Sequence, residues 1–140
     1  IRVYSIHLQS VNISPDIIEI DESKSKRIFN RLSEAFKVQQ LQSELIQAHM
    51  DDFKGHKIIC GDMNNTAFSY VYKNILGDMN DAFVEAGSGF GKTYNYKYYP
   101  ARIDYILVDK VFDVKEFRTF KEFKNSDHFP VMARLNFNRE

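Results

Sequence analysis

Apolar and polar positions follow two distinct patterns along the first half of the chain. Residues 1–8 alternate as in a strand, whereas residues 25–53 place an apolar side chain at every third or fourth position. The second pattern predicts one long amphipathic helix, which ends at Gly55. A continuous apolar run over residues 57–60 predicts a short strand covered on both faces. The predicted buried face of the helix consists of Ile28, Leu32, Phe36, Leu41, Leu45, either His49 or Met50, and Phe53.

The second half of the chain is richer in short elements. Thr66 is available as the cap of a short helix near residues 67–76. Three glycines within residues 87–91 indicate a flexible loop. The other predicted elements are a helical turn over 81–86, strands over 103–108 and 111–120 joined by a tight turn at 109–110, and a last strand over 131–137.

This order of elements predicts a single α/β domain with one mixed sheet and a long helix over residues 1–140. Both faces of the predicted sheet are apolar, yet only one long helix is available to cover them. We therefore expect a covering layer that is absent from this chain or supplied by a partner. The chain opens in a strand-like run without an initiator Met, so we expect a fragment whose N-terminus is missing.

The bulk composition excludes some classes of protein. Apolar residues make up 44% and aromatic residues 14%, which is a globular composition. The 19 basic and 19 acidic residues balance, so the chain lacks the broad positive field that grips a nucleic-acid backbone. The single cysteine, Cys60, excludes an internal disulfide. No apolar run reaches transmembrane length, and we expect a soluble domain whose compartment the sequence leaves open.

Four polar clusters lie at the ends of the apolar runs. In the first, Gly61 allows a sharp turn after the buried strand, and Asp62 and Asn64 can point to the same side. A carboxylate and an amide that converge there can bind a phosphate together with its metal ion. An Asx-rich turn without chemistry is the alternative. Ligand sites favour the carboxyl ends of strands in α/β sheets, which supports the functional interpretation.

Two further clusters supply a candidate acid–imidazole pair. Asp127 and His128 precede the last strand, where Asp127 would coordinate Mg²⁺ and His128 would take a proton from the attacking water. A turn Asp beside a surface His is the alternative. Asp104 lies within an apolar strand, where a carboxylate is costly unless it is paired. His128 is the expected partner, which Asp104 would orient, and Arg102 is the alternative partner.

The fourth cluster holds His7 at the end of the first strand. A lone His in such a place is more often structural. Only the three other polar clusters suggest that its imidazole donates to a phosphate oxygen. Lys92 and Arg102 flank the tyrosine-rich run 94–99, which is a candidate for substrate binding. A solvated loop with long side chains lying along the surface explains the same residues.

In this order the clusters resemble the C-terminal half of the endonuclease/exonuclease/phosphatase family, whose fold is deoxyribonuclease I-like. The stretch EAGSGFGKTYN and the long helix after HLQS resemble a Bacteroidetes-type subgroup, whose members often carry hydrophobic membrane segments ahead of the catalytic domain. The residues that carry the resemblance are His7 in SIHLQS, Asp62 and Asn64 in GDMNN, Asp104 in RIDYIL, and Asp127 with His128 in SDHFPV.

The resemblance implies a four-layered α/β sandwich, of which this chain supplies half. It also implies Mg²⁺ or Mn²⁺ as cofactor and a phosphate-ester substrate, either nucleic acid or a lipid or small-molecule phosphate. The implied roles are water activation by His128 with Asp104 as its partner, metal binding by Asp127, phosphate and metal binding by Asp62 and Asn64, and phosphate contact by His7.

The sequence departs from the family pattern in two ways. The family's N-terminal half supplies an Asn and a metal-binding Glu that no segment here replaces, and Asn65 stands where the subgroup often has Asp. We therefore expect an incomplete site in this chain and a missing N-terminal half as its partner. We also expect self-association through the exposed sheet face, because two copies packed sheet to sheet would imitate the full sandwich.

The leading hypothesis is thus a metal-dependent phosphoesterase domain of nuclease or phosphatase type, in which His128 activates water. A non-catalytic binding or scaffold domain that keeps the fold is the alternative. The intact set of acidic, amide and imidazole side chains argues against that alternative, because a degenerate domain is free to lose at least one of them. Coincidental turns in an unrelated α/β domain are a third hypothesis, which the joint occurrence of the clusters in order disfavours.

Overall fold

The computed structural model describes residues 1–11, 22–95 and 100–138. Three of the tyrosines in the predicted substrate-binding run, Tyr96, Tyr98 and Tyr99, lie outside these residues. The elements in chain order are β1 (Arg2–His7), α1 (Glu22–Asp51), β2 (Lys57–Asp62), α2 (Tyr70–Leu76), β3 (Asn80–Asp81), α3 (Ala82–Ala86), β4 (Asp104–Val108), β5 (Phe112–Thr119) and β6 (Val131–Phe137).

The predicted α/β class with a mixed sheet and a long helix is confirmed. Four strands form the central sheet in the order β1-β2-β4-β3, with β1 parallel to β2 and the other pairs antiparallel. The helix α1 makes the crossover that a parallel pair of strands requires. Strands β5 and β6 pair with each other in a separate two-stranded sheet, so β5 does not pair with β4 across the turn that joins them.

The hydrophobic core lies on one face of the central sheet. Ile59 of β2 and Leu107 of β4 are opposite each other in register and have no exposed surface. Met50 of α1 and Ile75 of α2 close the same cluster from the helical side. Because successive strand residues point to opposite faces, this arrangement leaves the alternate positions of the same strands on the second face.

The second face of the sheet is only partly covered by the described residues. Val3 of β1 is 61% exposed. Cys60 and Ile106 line a shallow pocket on this face together with Pro130 and Val131, which approach from the start of β6. Among the helices of the described ranges, none is both long and apolar enough to cross a membrane.

The buried face of α1 differs from the predicted one. Leu41 and Leu45 were predicted to be buried, but they are 62% and 72% exposed, and Phe36 is also exposed. The helix packs through Met50, as predicted, and otherwise through Ala35, Gln39 and Ser43, which recur at every fourth position. Two of these are polar, and their side chains form hydrogen bonds within the interface, which apolar periodicity does not register.

The start of α2 also differs from the prediction. Ser69 rather than Thr66 caps the helix, because the Ser69 side chain accepts a hydrogen bond from the Tyr72 backbone N–H at 3.1 Å. Thr66 lies in the preceding turn, where its carbonyl accepts from the Ser69 N–H. The predicted helical turn over 81–86 is present as α3, with Asp81 as its cap.

Candidate active site

The end of the central sheet gathers three of the predicted site residues in one row. The parallel strands β1 and β2 finish at the same edge, and the antiparallel β4 begins there. His7 is the register partner of Asp62, and Asp62 is the register partner of Asp104. Residues directly opposite on neighbouring strands point to the same face, so the three side chains form a row on the second face of the sheet.

His128 completes this row from the segment that precedes β6. Its Nδ1 lies 2.9 Å from Asp104 Oδ2 and 3.2 Å from Asp104 Oδ1. Its Nε2 lies 3.8 Å from Asp62 Oδ2, and the Nε2 of His7 lies 3.7 Å from the same oxygen. His128 therefore pairs with Asp104, and Arg102 does not.

The pairing with Asp104 determines what the His128 ring can do. An ionised carboxylate only accepts hydrogen bonds, so the proton of a neutral imidazole belongs on Nδ1. The lone pair is then on Nε2, which points toward Asp62 and the open side of the row. The ring of Tyr94 packs against His128 with 4.9 Å between centroids and restrains its orientation. Such an imidazole can accept a proton or bind a cation.

Gly61 permits the close approach of β1 and β2 just before the row. Its φ is +145°, and a Cβ at this position would lie 1.8 Å from the carbonyl oxygen of Ile6. No residue with a side chain fits this space, so the glycine has a packing role as well as the turn role predicted from the sequence. The outcome is that His7 and Asp62 lie side by side.

Asp62 lies in an unfavourable electrostatic position when its carboxyl is ionised. Burial raises its pKa above the ordinary value, and the nearby negative charge of Asp104 raises the pKa further. The hydrogen bond from the Asn64 backbone N–H to Oδ1, at 2.7 Å, lowers the pKa and offsets part of this effect. His128 and His7 lower it by smaller amounts.

The side chain of Asn64 serves the backbone of the adjoining loop. Asn64 has a φ of +48°, and its Nδ2 donates to the carbonyl of Leu8 at 3.0 Å. Its amide therefore ties the loop after β2 to the loop after β1. The same side chain was predicted to bind phosphate and metal, and it lies next to the row without belonging to its closest group.

Three other predicted site residues lie apart from the row. Asp127 is exposed, and its Oδ1 accepts a hydrogen bond from the Ser126 hydroxyl at 3.5 Å. Lys92 lies in the loop before β4, and its Nζ donates to Asn95 Oδ1 at 3.2 Å. Arg102 forms a 2.6 Å ion pair with the buried carboxylate of Asp81. The structure thus gives Arg102 an acidic partner other than Asp104.

The Arg102–Asp81 pair is surrounded by aromatic rings. The guanidinium lies 4.6 Å from the ring centroid of Phe83 and 4.7 Å from that of Tyr105. Tyr72 donates from its hydroxyl to Asp81 at 2.7 Å, and burial together with this bond raises the pKa of Tyr72 to about 12. This cluster anchors the chain immediately before Asp104 and so supports the strand that bears it.

Thr93 was not identified by sequence reasoning, although it supports two members of the site. Its side chain has no exposed surface, and its Oγ1 accepts from the backbone N–H groups of Ile103 at 3.0 Å and Asp104 at 3.1 Å. Its carbonyl accepts from the Phe129 N–H, next to His128, at 2.7 Å. A Thr inside a polar loop carries no periodic signal, so only the fold reveals this role.

Asp62, Asp104 and His128 form a group that fits a divalent cation. Within the described ranges, these are the His, Cys, Asp and Glu side chains that bring three ligand atoms within 4.8 Å of one another. The carboxylate oxygens of such a group suit Mg²⁺ or Mn²⁺. The raised pKa of Asp62 adds a physical reason for the fit, because a bound cation would offset both the burial of the ionised carboxylate and its smaller repulsion with Asp104.

Fold and site together define a class of protein. It is an α/β domain in which two carboxylates and two imidazoles meet at the carboxyl end of a parallel strand pair. The chain belongs to the endonuclease/exonuclease/phosphatase family, whose model matches residues 13–128. No curated protein matches the chain at a significant level.

Several solved structures resemble the chain, including some from Bacteroides, as the predicted subgroup implied. A mannosyl-6-phosphatase of Bacteroides thetaiotaomicron is 24% identical over 72% of this chain and 46% of its own, with a TM-score of 0.59. A family protein of Leptotrichia buccalis is 29% identical over 68% and 42%, with a TM-score of 0.54. A conserved protein of unknown function from Enterococcus faecalis is 19% identical over 96% and 49%, with a TM-score of 0.66.

The chain spans less than half the length of each of these three solved proteins.

Proposed function

We propose that this chain carries half of the active site of a metal-dependent phosphoesterase that hydrolyses a phosphate ester with water. The observation that carries the proposal is the row of His7, Asp62 and Asp104 with His128 paired to its last member. A carboxylate-oriented imidazole, a second carboxylate and a second imidazole on one open face match what water activation next to a phosphate requires.

Each member of the row has a role in the proposed reaction. Asp104 holds the His128 ring through Nδ1, and Nε2 takes the proton from the attacking water. His7 donates to a phosphate oxygen. A bound Mg²⁺ or Mn²⁺ would neutralise charge on the phosphate and lower the pKa of water. Asp62 would hold it together with the Asp104 carboxylate, which belongs to the same close group, and the lone pair of His128 Nε2 stays available for the proton.

The remaining predicted residues have weaker geometric support. Asp127 and Asn64 stay candidates for the metal and the phosphate, because Asp127 adjoins His128 and Asn64 adjoins Asp62 in the chain. Lys92 stays a candidate for substrate binding on its loop. Arg102 is held by Asp81 among aromatic rings, which favours a structural role over contact with substrate.

For the substrate, a small phosphate ester is favoured over bulk nucleic acid. The chain has equal numbers of basic and acidic residues, so it lacks a field that would hold a long polyanion. One of the similar solved structures is named a mannosyl-6-phosphatase, which agrees with a phosphomonoester. Nuclease-type and lipid-type phosphodiesters are the competing substrates, and parallel assays on all three separate them.

The second face of the sheet is proposed to pack against a further layer. Val3 is exposed there, beside the half-buried Cys60 and Ile106, and the chain spans less than half of its solved relatives. The missing N-terminal half of the domain is the proposed natural occupant, and a second copy of this chain would replace it when the chain is alone. Sedimentation at micromolar concentration tests the second copy, and a strictly monomeric species would contradict it.

A non-catalytic domain that binds through this face is the competing function. The same exposed face supports it, but the retained Asp104–His128 pair does not, because pure binding has no need of an oriented imidazole.

The decisive experiment compares His128→Ala with His49→Gln in the full-length protein. We expect His128→Ala to lower phosphoesterase activity by about 100-fold or more, the usual contribution of a general base, with added Mg²⁺ or Mn²⁺. His49 is exposed on α1 and touches Tyr4, so its replacement controls for loss of any imidazole. Equal activity in the two variants would contradict the catalytic role of His128.

A further inference from the structure

The side chain of Gln39 is polar, yet it has no exposed surface. It lies in the packed face of α1, on the side that faces the ends of β1 and β2. Its Nε2 donates to the carbonyl of Gln9 at 2.7 Å and to the carbonyl of Asn64 at 3.3 Å. Its Oε1 accepts from the Nδ2 of Asn65 at 2.9 Å. One buried amide thus bonds to both loops that leave the parallel strand pair.

Neighbouring bonds reinforce this connection. Gln42, on the same side of α1, accepts from the Gln9 backbone N–H at 2.9 Å, so the helix holds both backbone groups of that residue. Asn64 joins the two loops directly through its bond to the Leu8 carbonyl. The loops begin immediately after the strands that place His7 and Asp62 in the row.

We propose that Gln39 is a positioning residue for the active site. It fixes the loops after β1 and β2, and through them the separation and direction of the His7 and Asp62 side chains. This inference rests on the proposed function, because it assigns a reason for the precision of that site. Gln39 itself lies behind the loops and touches neither the row nor a substrate.

The Gln39 amide is buried, and its three hydrogen bonds reach partners in the two loops. An amide that is shielded from water cannot exchange its protein partners for solvent, so its three bonds hold the loops in one arrangement. Asn64 has a φ of +48°, a conformation that needs support from its surroundings in a residue other than glycine. The carbonyl of Asn64 is one of the groups that Gln39 holds. Without that bond the loop is free to relax and carry Asp62 with it.

A purely structural role for Gln39 makes a different prediction. A buried residue that only packs α1 against the sheet would change the stability of the fold, and a protein that is still folded would bind metal unchanged. A positioning residue changes metal affinity and loop geometry while the protein remains folded. Metal affinity and the local backbone signals are therefore the informative measurements.

The test replaces Gln39 by Met, which keeps the length of the side chain and removes all three bonds. Gln40→Met is the matched control, since Gln40 is exposed on the same helix and its amide bonds to Glu44. Mn²⁺ binding is measured by calorimetry well below the melting temperature. We expect Gln39→Met to weaken binding about 10-fold or more, the usual effect of losing a residue that orients metal ligands.

Backbone amide NMR supplies a readout that does not depend on the metal. We expect the signals of residues 62–65 and 9–10 to shift in Gln39→Met, while the signals of α2 and the whole spectrum of Gln40→Met stay close to wild type. A folded Gln39→Met protein with unchanged affinity and unchanged signals in both loops would overturn the proposal.

Two further outcomes remain decisive. If Gln39→Met does not fold, Asn65→Ala replaces it, because this change removes the bond to Gln39 Oε1 and leaves the buried amide in place, although it also removes the bond to the Thr66 N–H. A loss of affinity in the same direction would support the proposal, and unchanged affinity would overturn it. If the wild-type chain binds no Mn²⁺, the amide signals of residues 62–65 and 9–10 decide the role of Gln39, and the phosphoesterase assay of the full-length protein tests the proposed function separately.

Discussion

The two faces of the central sheet have opposite characters although they are built from alternate residues of the same strands. On the helical face, Ile59 and Leu107 are fully buried in the core. On the other face, the same strands carry Asp62 and Asp104, and Val3 is exposed toward the opposite end of β1. The period of two in a strand thus separates the residues that stabilise the fold from those that carry the proposed chemistry, and each set can be changed without the other.

The largest expected effect concerns the face of the sheet that carries the proposed catalytic residues. Asp104→Asn keeps the shape of the side chain but offers an N–H or a neutral oxygen to His128 Nδ1 in place of a carboxylate. By analogy with oriented imidazoles in general, we expect activity of the full-length protein to fall roughly 1,000-fold or more. Stability should change little, because the strand and the core stay as they are.

Phosphoesterase assays and thermal melting measure the two quantities side by side. Asp113→Asn is the control, since Asp113 is a half-buried carboxylate on β5 that pairs with Lys115 and does not belong to the row. If Asp104→Asn retained more than a tenth of wild-type activity, the imidazole would not need its carboxylate partner.

The next prediction compares equivalent truncations on the two faces. Ile59→Ala removes a fully buried side chain and should lower the free energy of unfolding by about 3 kcal/mol. Val3→Ala removes an exposed side chain and should change it by less than about 0.5 kcal/mol. Urea denaturation of both variants gives the two values. A cost for Val3→Ala that approaches that of Ile59→Ala would mean that a second copy covers this face in solution.

The smallest effect concerns Asp62 and the pH dependence of stability. Its raised pKa means that the fold favours the neutral carboxyl, so stability is lost as the pH rises through that pKa. Asp62→Asn keeps an oxygen for the Asn64 N–H and removes the charge. Without metal at pH 7, we expect the variant to be more stable by about 1 kcal/mol.

The sign of this effect should depend on pH and on metal. Well below the ordinary carboxyl pKa of 3.8 the wild-type side chain is neutral, so the advantage of Asp62→Asn should vanish. Saturating Mn²⁺ should reverse the order at pH 7, because binding to the folded wild type raises its stability. Melting curves at both pH values, with and without Mn²⁺, check the prediction. An advantage that persists at low pH would show that charge is not its cause.

The strand ends and the polar clusters were the predictable part of the site. Four polar clusters at the ends of apolar runs were predicted to supply one site, and the structure places His7, Asp62, Asp104 and His128 together at one edge of the central sheet. The carboxyl ends of the parallel strands β1 and β2 bring His7 and Asp62 together, whereas Asp104 joins them because β4 runs antiparallel and begins at the same edge.

The residues that support the site could not be predicted, because they act through hydrogen bonds to residues that are distant in the sequence. Gln39 and Thr93 are polar, fully buried and bonded mainly to backbone groups of other segments. Asp81 was predicted only as the start of a short helix. Its ion pair with Arg102 joins residues that the fold brings together, so the sequence did not reveal it. Apolar periodicity also misplaced the packed face of α1, because two polar side chains replace apolar ones there.

The row of site residues draws on segments from both ends of the chain. His7 lies in the first strand, whereas His128 precedes the last one, and the row exists only when both have reached the middle strands. Contacts between distant segments form slowly and late in folding, whereas α1 and α2 can associate early through nearer contacts. The chain should therefore form a compact helical core before it forms a metal site. Partly folded chains should bind neither metal nor substrate.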